Sequence, residues 1–274
     1  MIRAVDVYLL TIGREILVGR TQDTNAHWIA GEVTRGGGGV RRIAVVDDEV
    51  PAIAAEVGSA RGLGGRVLVT TGGLGPTHDD LTLAGIARAA GTRLRVHPSA
   101  RRIVEARYRA LNTAGRIADP AITPARLKMA RLPPGAIPLD NSVGTAPGVR
   151  LDWGSLTIFA LPGVPAEMKA MFTAEVAPCV AALARHAGGG GWVEISIPTG
   201  CNDESGLVAC LDVLRAAFPD VYVKSHARGF GAGVDVGITL AAPGVDEASA
   251  RARLEAAREF LQARLPSGGP ARSR

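Results

Sequence analysis

Cysteine is scarce in this chain: Cys179, Cys201 and Cys210 are the only three among 274 residues. An odd count with no CxxC spacing excludes a disulfide framework and a zinc site of the usual pattern. The three read as small, buried or half-buried residues. Lysine is also rare. Only Lys128, Lys169 and Lys224 occur, so nearly all of the 31 basic residues are arginine. Aromatic residues make up 4% of the chain, and no basic run is interleaved with them. The usual footprint of a nucleic-acid surface is therefore missing. No apolar run is long enough to span a bilayer. The first residues, MIRAVDVYLL, carry an acid inside their apolar run and no small-residue cleavage site. They read as a first strand and not as a signal peptide, so the expectation is a cytoplasmic protein with no membrane partner.

The composition that remains is that of a folded protein: 47% hydrophobic and 21% charged residues, long enough for one or two domains. The net charge is +5, and it is unevenly spread. From residue 186 onward there are 9 basic and 10 acidic residues, so the basic excess belongs to the first 185. A mildly basic first region suits an anionic small molecule at least as well as a nucleic acid.

Apolar runs of strand length occur at 5–11, 40–46, 67–71 and 156–161. Helical spacing falls at 22–35, 50–60, from about 81, and at 98–113, 123–130 and 165–185. Near-continuous apolar strands separated by helices predict a mainly parallel sheet covered on both faces, a three-layer α/β domain over residues 1–186. Residues 133–148, PPGAIPLDNSVGTAPG, form a long polar stretch rich in glycine and proline, expected to bind something or wrap the sheet. Gly188–Gly191 is the linker candidate. Strands at 192–198, 220–226 and 233–240 with helices at 203–217 and 246–264 predict a small α+β domain over 191–266. Residues 267–274 read as a disordered tail.

The most informative segment is VLVTTGGLGPTHDDLT, residues 67–82. It reads as a strand, a glycine-rich turn and a helix N-terminus. Main-chain N–H groups in such a turn favour an anion such as phosphate. Yet Asp79 and Asp80 sit in the same turn and repel phosphate unless a cation lies between them. The segment points to phosphate with a divalent metal, or to a ligand that donates to aspartate. Three other strands also run into polar loops: Glu15, Asp23 and Asn25 after the first, Asp47 and Asp48 after the second, Glu167 after the strand at 156–161. In open parallel sheets, ligands bind at that edge. Alternatives stay open for several residues. Asp47, Asp48, Asp80, and Asp23 or Thr24 could each cap a following helix. His78 reads as an exposed loop residue, His97 as structural and His27 as lying on a helix flank. No Ser-His-Asp or Cys-His arrangement is visible, which argues against a protein nucleophile.

Four blocks, TIGREILVGRTQDTNA, TTGGLGPTHDDLT, DNSVGTAPG and LPGVPAEMKAMF, resemble the signature blocks of the CinA (competence/damage-inducible protein A) family, in family order and spacing. The resemblance implies a MoaB/Mog-like molybdopterin-binding fold followed by a KH-like domain. Full-length members often add a nicotinamide mononucleotide deamidase domain, which this sequence does not match. Two departures stand out: Arg14 occupies a position that is usually threonine, and Ser142 one that is usually proline. The implied activity is a divalent-metal-dependent ADP-ribose pyrophosphatase, releasing AMP and ribose 5-phosphate. The implied metal is magnesium, manganese or cobalt, with a monovalent cation as a further implied cofactor. The implied roles are Asp80, Glu15 and Asp47 in catalysis, and Asp79, Asp80 and Glu15 at the metal. Gly72, Gly73, Gly75, Thr77, Asn25, Asn141, Gly144, Thr145, Gly163 and Glu167 would bind substrate. The family also suggests a homo-oligomer, as a dimer. Molybdopterin binding or molybdenum-cofactor synthesis is the alternative; Leu74 and the paired aspartates favour the CinA side. A non-enzymatic nucleotide-binding regulator is the third reading. Nucleic acid is disfavoured as a partner, because the glycines Gly229, Gly231 and Gly233 are placed between strands and a KH loop lies between helices.

Overall fold

The computed structural model describes residues 5–187, 192–228, 235–244 and 247–265. These form two units, one of Val5–Thr34 with Gly38–Leu183, the other containing the chain from Ala184. The linker candidate at 188–191, the glycines at 229–233 and the tail at 267–274 lie outside the described residues.

The first unit opens with β1 (Val5–Ile12), α1 (Arg14–Leu17), α2 (Thr24–Arg35), β2 (Gly38–Val46), α3 (Val50–Gly62) and β3 (Val67–Thr71). It continues through α4 (Thr82–Ala89), β4 (Arg95–Val96), α5 (Pro98–Thr113), α6 (Pro124–Lys128), β5 (Arg131–Leu132), β6 (Ile137–Leu139), β7 (Gly148–Trp153) and β8 (Leu156–Leu161). It closes with α7 (Pro165–Met171), a π-helical turn (Phe172–Val176) and α8 (Ala177–His186). The main sheet has the order β2-β1-β3-β8-β7-β6. β2, β1, β3 and β8 run parallel, as their unbroken apolar runs predict. All five residues of β3 are buried, as a strand covered on both faces requires.

Two features depart from the expectation. The stretch 133–148 contains the edge strand β6, and β7 follows it as an antiparallel strand against β8. β7 was hidden because its polar positions alternate, with Arg150 half-buried and Asp152 exposed. Gly154, at φ +67°, lets the chain reverse directly into β8. The helix expected at 165–185 is interrupted by the π turn.

The register decides where function can sit. Ile12 pairs with Val46, Thr11 with Thr71, and Thr71 with Leu161. The carboxyl ends of the four parallel strands are therefore level, and their loops emerge side by side.

The second unit contains β9 (Trp192–Pro198), a 3₁₀ turn (Ser205–Leu207), α9 (Val208–Ala217), β10 (Tyr222–Arg228), β11 (Asp235–Pro243) and α10 (Glu247–Gln262). Its sheet is antiparallel, in the order β10-β11-β9. The small α+β arrangement expected from the sequence is present. Leu211, Leu214, Ile238, Leu240, Leu254 and Leu261 join sheet and helices into one core. No helix among the described residues is long and apolar enough to cross a membrane. The three cysteines are free and half-buried, and burial pushes the thiols of Cys179 and Cys210 up.

Candidate functional site: an acidic cleft at the carboxyl edge of the parallel strands

β3 ends in a turn that only glycine can make. Gly72 (φ +97°) and Gly73 (φ +62°) both lie in the left-handed region. A Cβ on Gly72 would strike the Ile12 carbonyl oxygen, and one on Gly73 would strike the Thr82 hydroxyl. Thr82 is fully buried and donates its hydroxyl to the Gly72 carbonyl at 2.7 Å. Its main-chain N–H donates to the Gly73 carbonyl at 3.2 Å. The start of α4 is thus stitched to the end of β3, and the Gly72 N–H is itself spent on the Leu161 carbonyl at 3.1 Å.

That turn forms one wall of a cleft of about 490 Å³. Of the expected residues, Glu15, Asn25, Gly72, Gly73, Gly75, Asp79, Asp80, Thr145, Gly163 and Glu167 line it; Asp47, Thr77, Asn141 and Gly144 do not. Glu15, Asp23, Asp48, Asp79, Asp80 and Glu167 give the lining six carboxylates, and no lysine, arginine or histidine joins them among the described residues. The net basic charge of the chain is not spent here.

Asp47 fails as a cleft residue because of Arg14. The Arg14 guanidinium holds the Asp47 carboxylate at 3.0 Å, and the Asp48 N–H donates to the other oxygen at 2.9 Å. Asp48 takes the place expected of Asp47, accepting from the Arg14 main-chain N–H at 2.9 Å. Burial raises the Asp48 pKa above the ordinary carboxylate range. The Arg14 N–H opposes that rise, while Glu15, Asp47 and Asp79 add to it. Neither aspartate caps α3 through its side chain: Glu49 stands at the cap and makes no side-chain bond.

Asp23 does cap its helix. One oxygen accepts from the Ala26 N–H at 2.9 Å, the other from the Thr11 hydroxyl at 2.6 Å. Thr11 and Thr71 are buried on neighbouring strands, with their hydroxyls 3.5 Å apart. Asn25 donates its amide to the Gly163 carbonyl at 2.8 Å, tying the first loop to the fourth. Its Oδ1 is buried with no partner among the described residues.

The expected role of Thr77 at phosphate does not match its place. Its hydroxyl reaches Asp79 and Asp80, and its N–H donates to Asp80 at 2.8 Å. The bond from Thr77 holds the Asp79 carboxyl below the ordinary range. Asp80 is spent on the turn and does not cap α4. Asn141 is likewise internal. It is completely buried, donates to the Ala146 carbonyl at 2.8 Å and to Glu167 at 2.5 Å, and accepts from Gly144 at 2.7 Å and Val143 at 3.1 Å. A Cβ on Gly144 would collide with the Glu167 carboxylate. Asn141 and Gly144 therefore aim Glu167 into the cleft without touching its contents.

The expected metal set of Asp79, Asp80 and Glu15 is not drawn together as a cage. No group of three or more His, Cys, Asp or Glu among the described residues converges on one point. The donors are all hard oxygens on one cleft. That suits a cation whose shell is completed by ligand phosphate and water, as magnesium prefers.

Two residues escaped the sequence reading as site residues. Asp48 was read among the polar loops at the strand ends and weighed as a helix cap, but was given no role of its own in the site. Lys128 carried no motif; its one signal was rarity, a lysine in a chain that uses arginine almost everywhere.

A family described as "probable molybdopterin binding domain" matches residues 8–182, the segment that holds the whole cleft. A protein of Aeropyrum pernix is 41% identical over 248 residues, 89% of this chain and 88% of its own length. Protein TK1472 of Thermococcus kodakarensis is 39% identical over 256 residues, 93% of this chain and 96% of its own. Among solved structures, CinA of Thermoplasma acidophilum, described as of unknown function, shares 38% identity with a TM-score of 0.58, and the match covers 64% of this chain and 98% of that one. This chain belongs to the family of probable molybdopterin binding domains.

Proposed function

We propose that the cleft binds a phosphorylated pterin of the molybdopterin class. The observation that carries the reading is the pairing of a cleft whose charged lining residues are all carboxylates with a glycine-rich turn. The amino-pyrimidinone edge of a pterin presents adjacent N–H donors, which a carboxylate accepts. A phosphate suits main-chain N–H groups at the turn. Asp79, Asp80 and Glu15 would hold a divalent cation there, which when bound would offset the charge of the phosphate. Family membership supports the pterin over other heterocycles. The test is calorimetric titration of the full chain with molybdopterin, with and without magnesium. Saturable binding that weakens in Asp80→Asn supports the reading; no heat in either condition removes it.

A second reading is favoured by Asp48. It lines the cleft, and its raised pKa suits a proton acceptor beside a hydrolysable phosphate. This would make the protein a pyrophosphatase acting on ADP-ribose, the activity implied by the resemblance of its four sequence blocks to the CinA family. Incubation with ADP-ribose and magnesium, manganese or cobalt would release AMP, and Asp48→Asn would abolish it. Absence of AMP with every metal excludes this reading.

A further inference from the structure

The glycine turn has a back as well as a front. Its front faces the acidic cleft. Behind it lies a small cavity of about 60 Å³, lined by Gly73, Gly75, Asp80 and Lys128 among others. Lys128 is the last residue of α6, 51 positions from Thr77 in sequence. Its ammonium nevertheless donates to the Thr77 main-chain carbonyl. Thr77 is the residue whose N–H and hydroxyl hold Asp80 and whose hydroxyl reaches Asp79. One ammonium therefore closes a chain from α6 through Thr77 to both acids.

We infer that Lys128 is the positioning residue of this turn: it fixes Thr77 from behind, and through Thr77 sets Asp79 and Asp80 in the cleft. It also supplies a positive charge to a pair of acids that would otherwise repel both each other and an incoming phosphate. The position suits lysine. A compact ammonium with three donors can approach a carbonyl in a narrow space, while the planar fork of arginine needs more room. Placement at the C-terminal end of α6 is favourable for a cation. The inference concerns the turn itself; its bearing on ligand binding rests on the reading of the cleft as a phosphate site.

The experiment compares the full chain with Lys128→Met, Lys128→Arg and Lys169→Met. Lys169 lies over the Trp28 ring, 5.3 Å from its centroid, and controls for loss of one charge. Two readouts are taken: amide hydrogen exchange over residues 72–82, and binding of inorganic pyrophosphate with manganese(II). Lys128→Met is expected to quicken exchange in that segment alone. It should weaken pyrophosphate by roughly tenfold, the size of one charge-assisted hydrogen bond. Lys128→Arg should recover part of the affinity, and Lys169→Met should match the parent. Unchanged exchange in Lys128→Met overturns the inference whatever the ligand does. Quickened exchange with unchanged affinity overturns it too. If exchange quickens but the parent chain takes no pyrophosphate, the positioning role stands and the phosphate reading of the cleft falls.

Discussion

The two units treat buried polarity in opposite ways. In the first, Thr11, Thr70, Thr71, Thr82 and Asn141 are buried polar side chains, and all lie at or beside the strand ends that form the cleft. In the second, Thr199 is the one buried polar side chain among the described residues, and its hydroxyl is spent on the Val236 carbonyl and the Cys201 N–H. The charged residues of the second unit pair near its surface, as Asp220 does with Arg253 and Glu247 with Arg251. Burying a polar group costs free energy unless it is bonded, so a fold concentrates such groups only where geometry must be held. The first unit carries that cost around one cleft, and the second is organised as a simple apolar core. The contrast places the candidate site in Val5–Leu183 without appeal to any relative.

That contrast can be broken by substitution, beginning with the largest effect. Phe159→Ala empties a fully buried site in the central sheet, and Leu240→Ala does the same in the small unit. Each is expected to cost about 2–5 kcal/mol in chemical unfolding. Only Phe159→Ala should also lose cleft binding; equal loss of binding in both would erase the distinction. Gly72→Ala comes next. It forces a side chain onto φ +97° and against the Ile12 carbonyl, at a cost of about 1–3 kcal/mol by thermal unfolding.

Asp48→Asn sharpens the contrast through pH. A carboxyl whose pKa is raised by folding stabilises only below its unfolded value, and that contribution is lost as pH rises through the folded one. Ionised Asp48 therefore weakens the fold at neutral pH, and Asp48→Asn should raise the melting temperature at pH 7 more than at pH 3. The smallest effect belongs to Arg253→Met. Hydrogen bonds from Arg253 hold the Asp220 carboxyl below the ordinary range, so their contribution is present at neutral pH and fades as acid protonates Asp220. With side chains 42% and 53% exposed, the pair should contribute less than about 1 kcal/mol, visible as a small loss in urea midpoint at pH 7.

Much of this was legible in the sequence because parallel strands are read from unbroken apolar runs, and their loops follow. β1, β2, β3 and β8 were placed that way, as was the α+β order of the second unit. β6 and β7 were not, since an edge hairpin with Arg150 and Asp152 on it lacks an unbroken apolar run. At the cleft, the glycines and both acids of the turn were readable from one segment. What the chain alone does not display is direction. Asp47 and Asp48 are neighbours with the same chemistry; the Arg14 guanidinium and the Asp48 N–H hold Asp47, while the Arg14 main-chain N–H holds Asp48 at the cleft. Asn141 carried a motif but not its burial, so a residue that shapes the site looked like one that touches the ligand. Lys128 reaches Thr77 from the end of α6, 51 residues along the chain, a contact no local pattern announces.

The central claim is that an acidic cleft with a glycine turn holds a phosphorylated pterin. Titration of the full chain and of Asp80→Asn with molybdopterin in magnesium tests it most directly. The account predicts saturable one-to-one binding by the parent chain and a marked loss in Asp80→Asn with the fold intact by circular dichroism. Equal binding by the two proteins, or none by the parent, would contradict it.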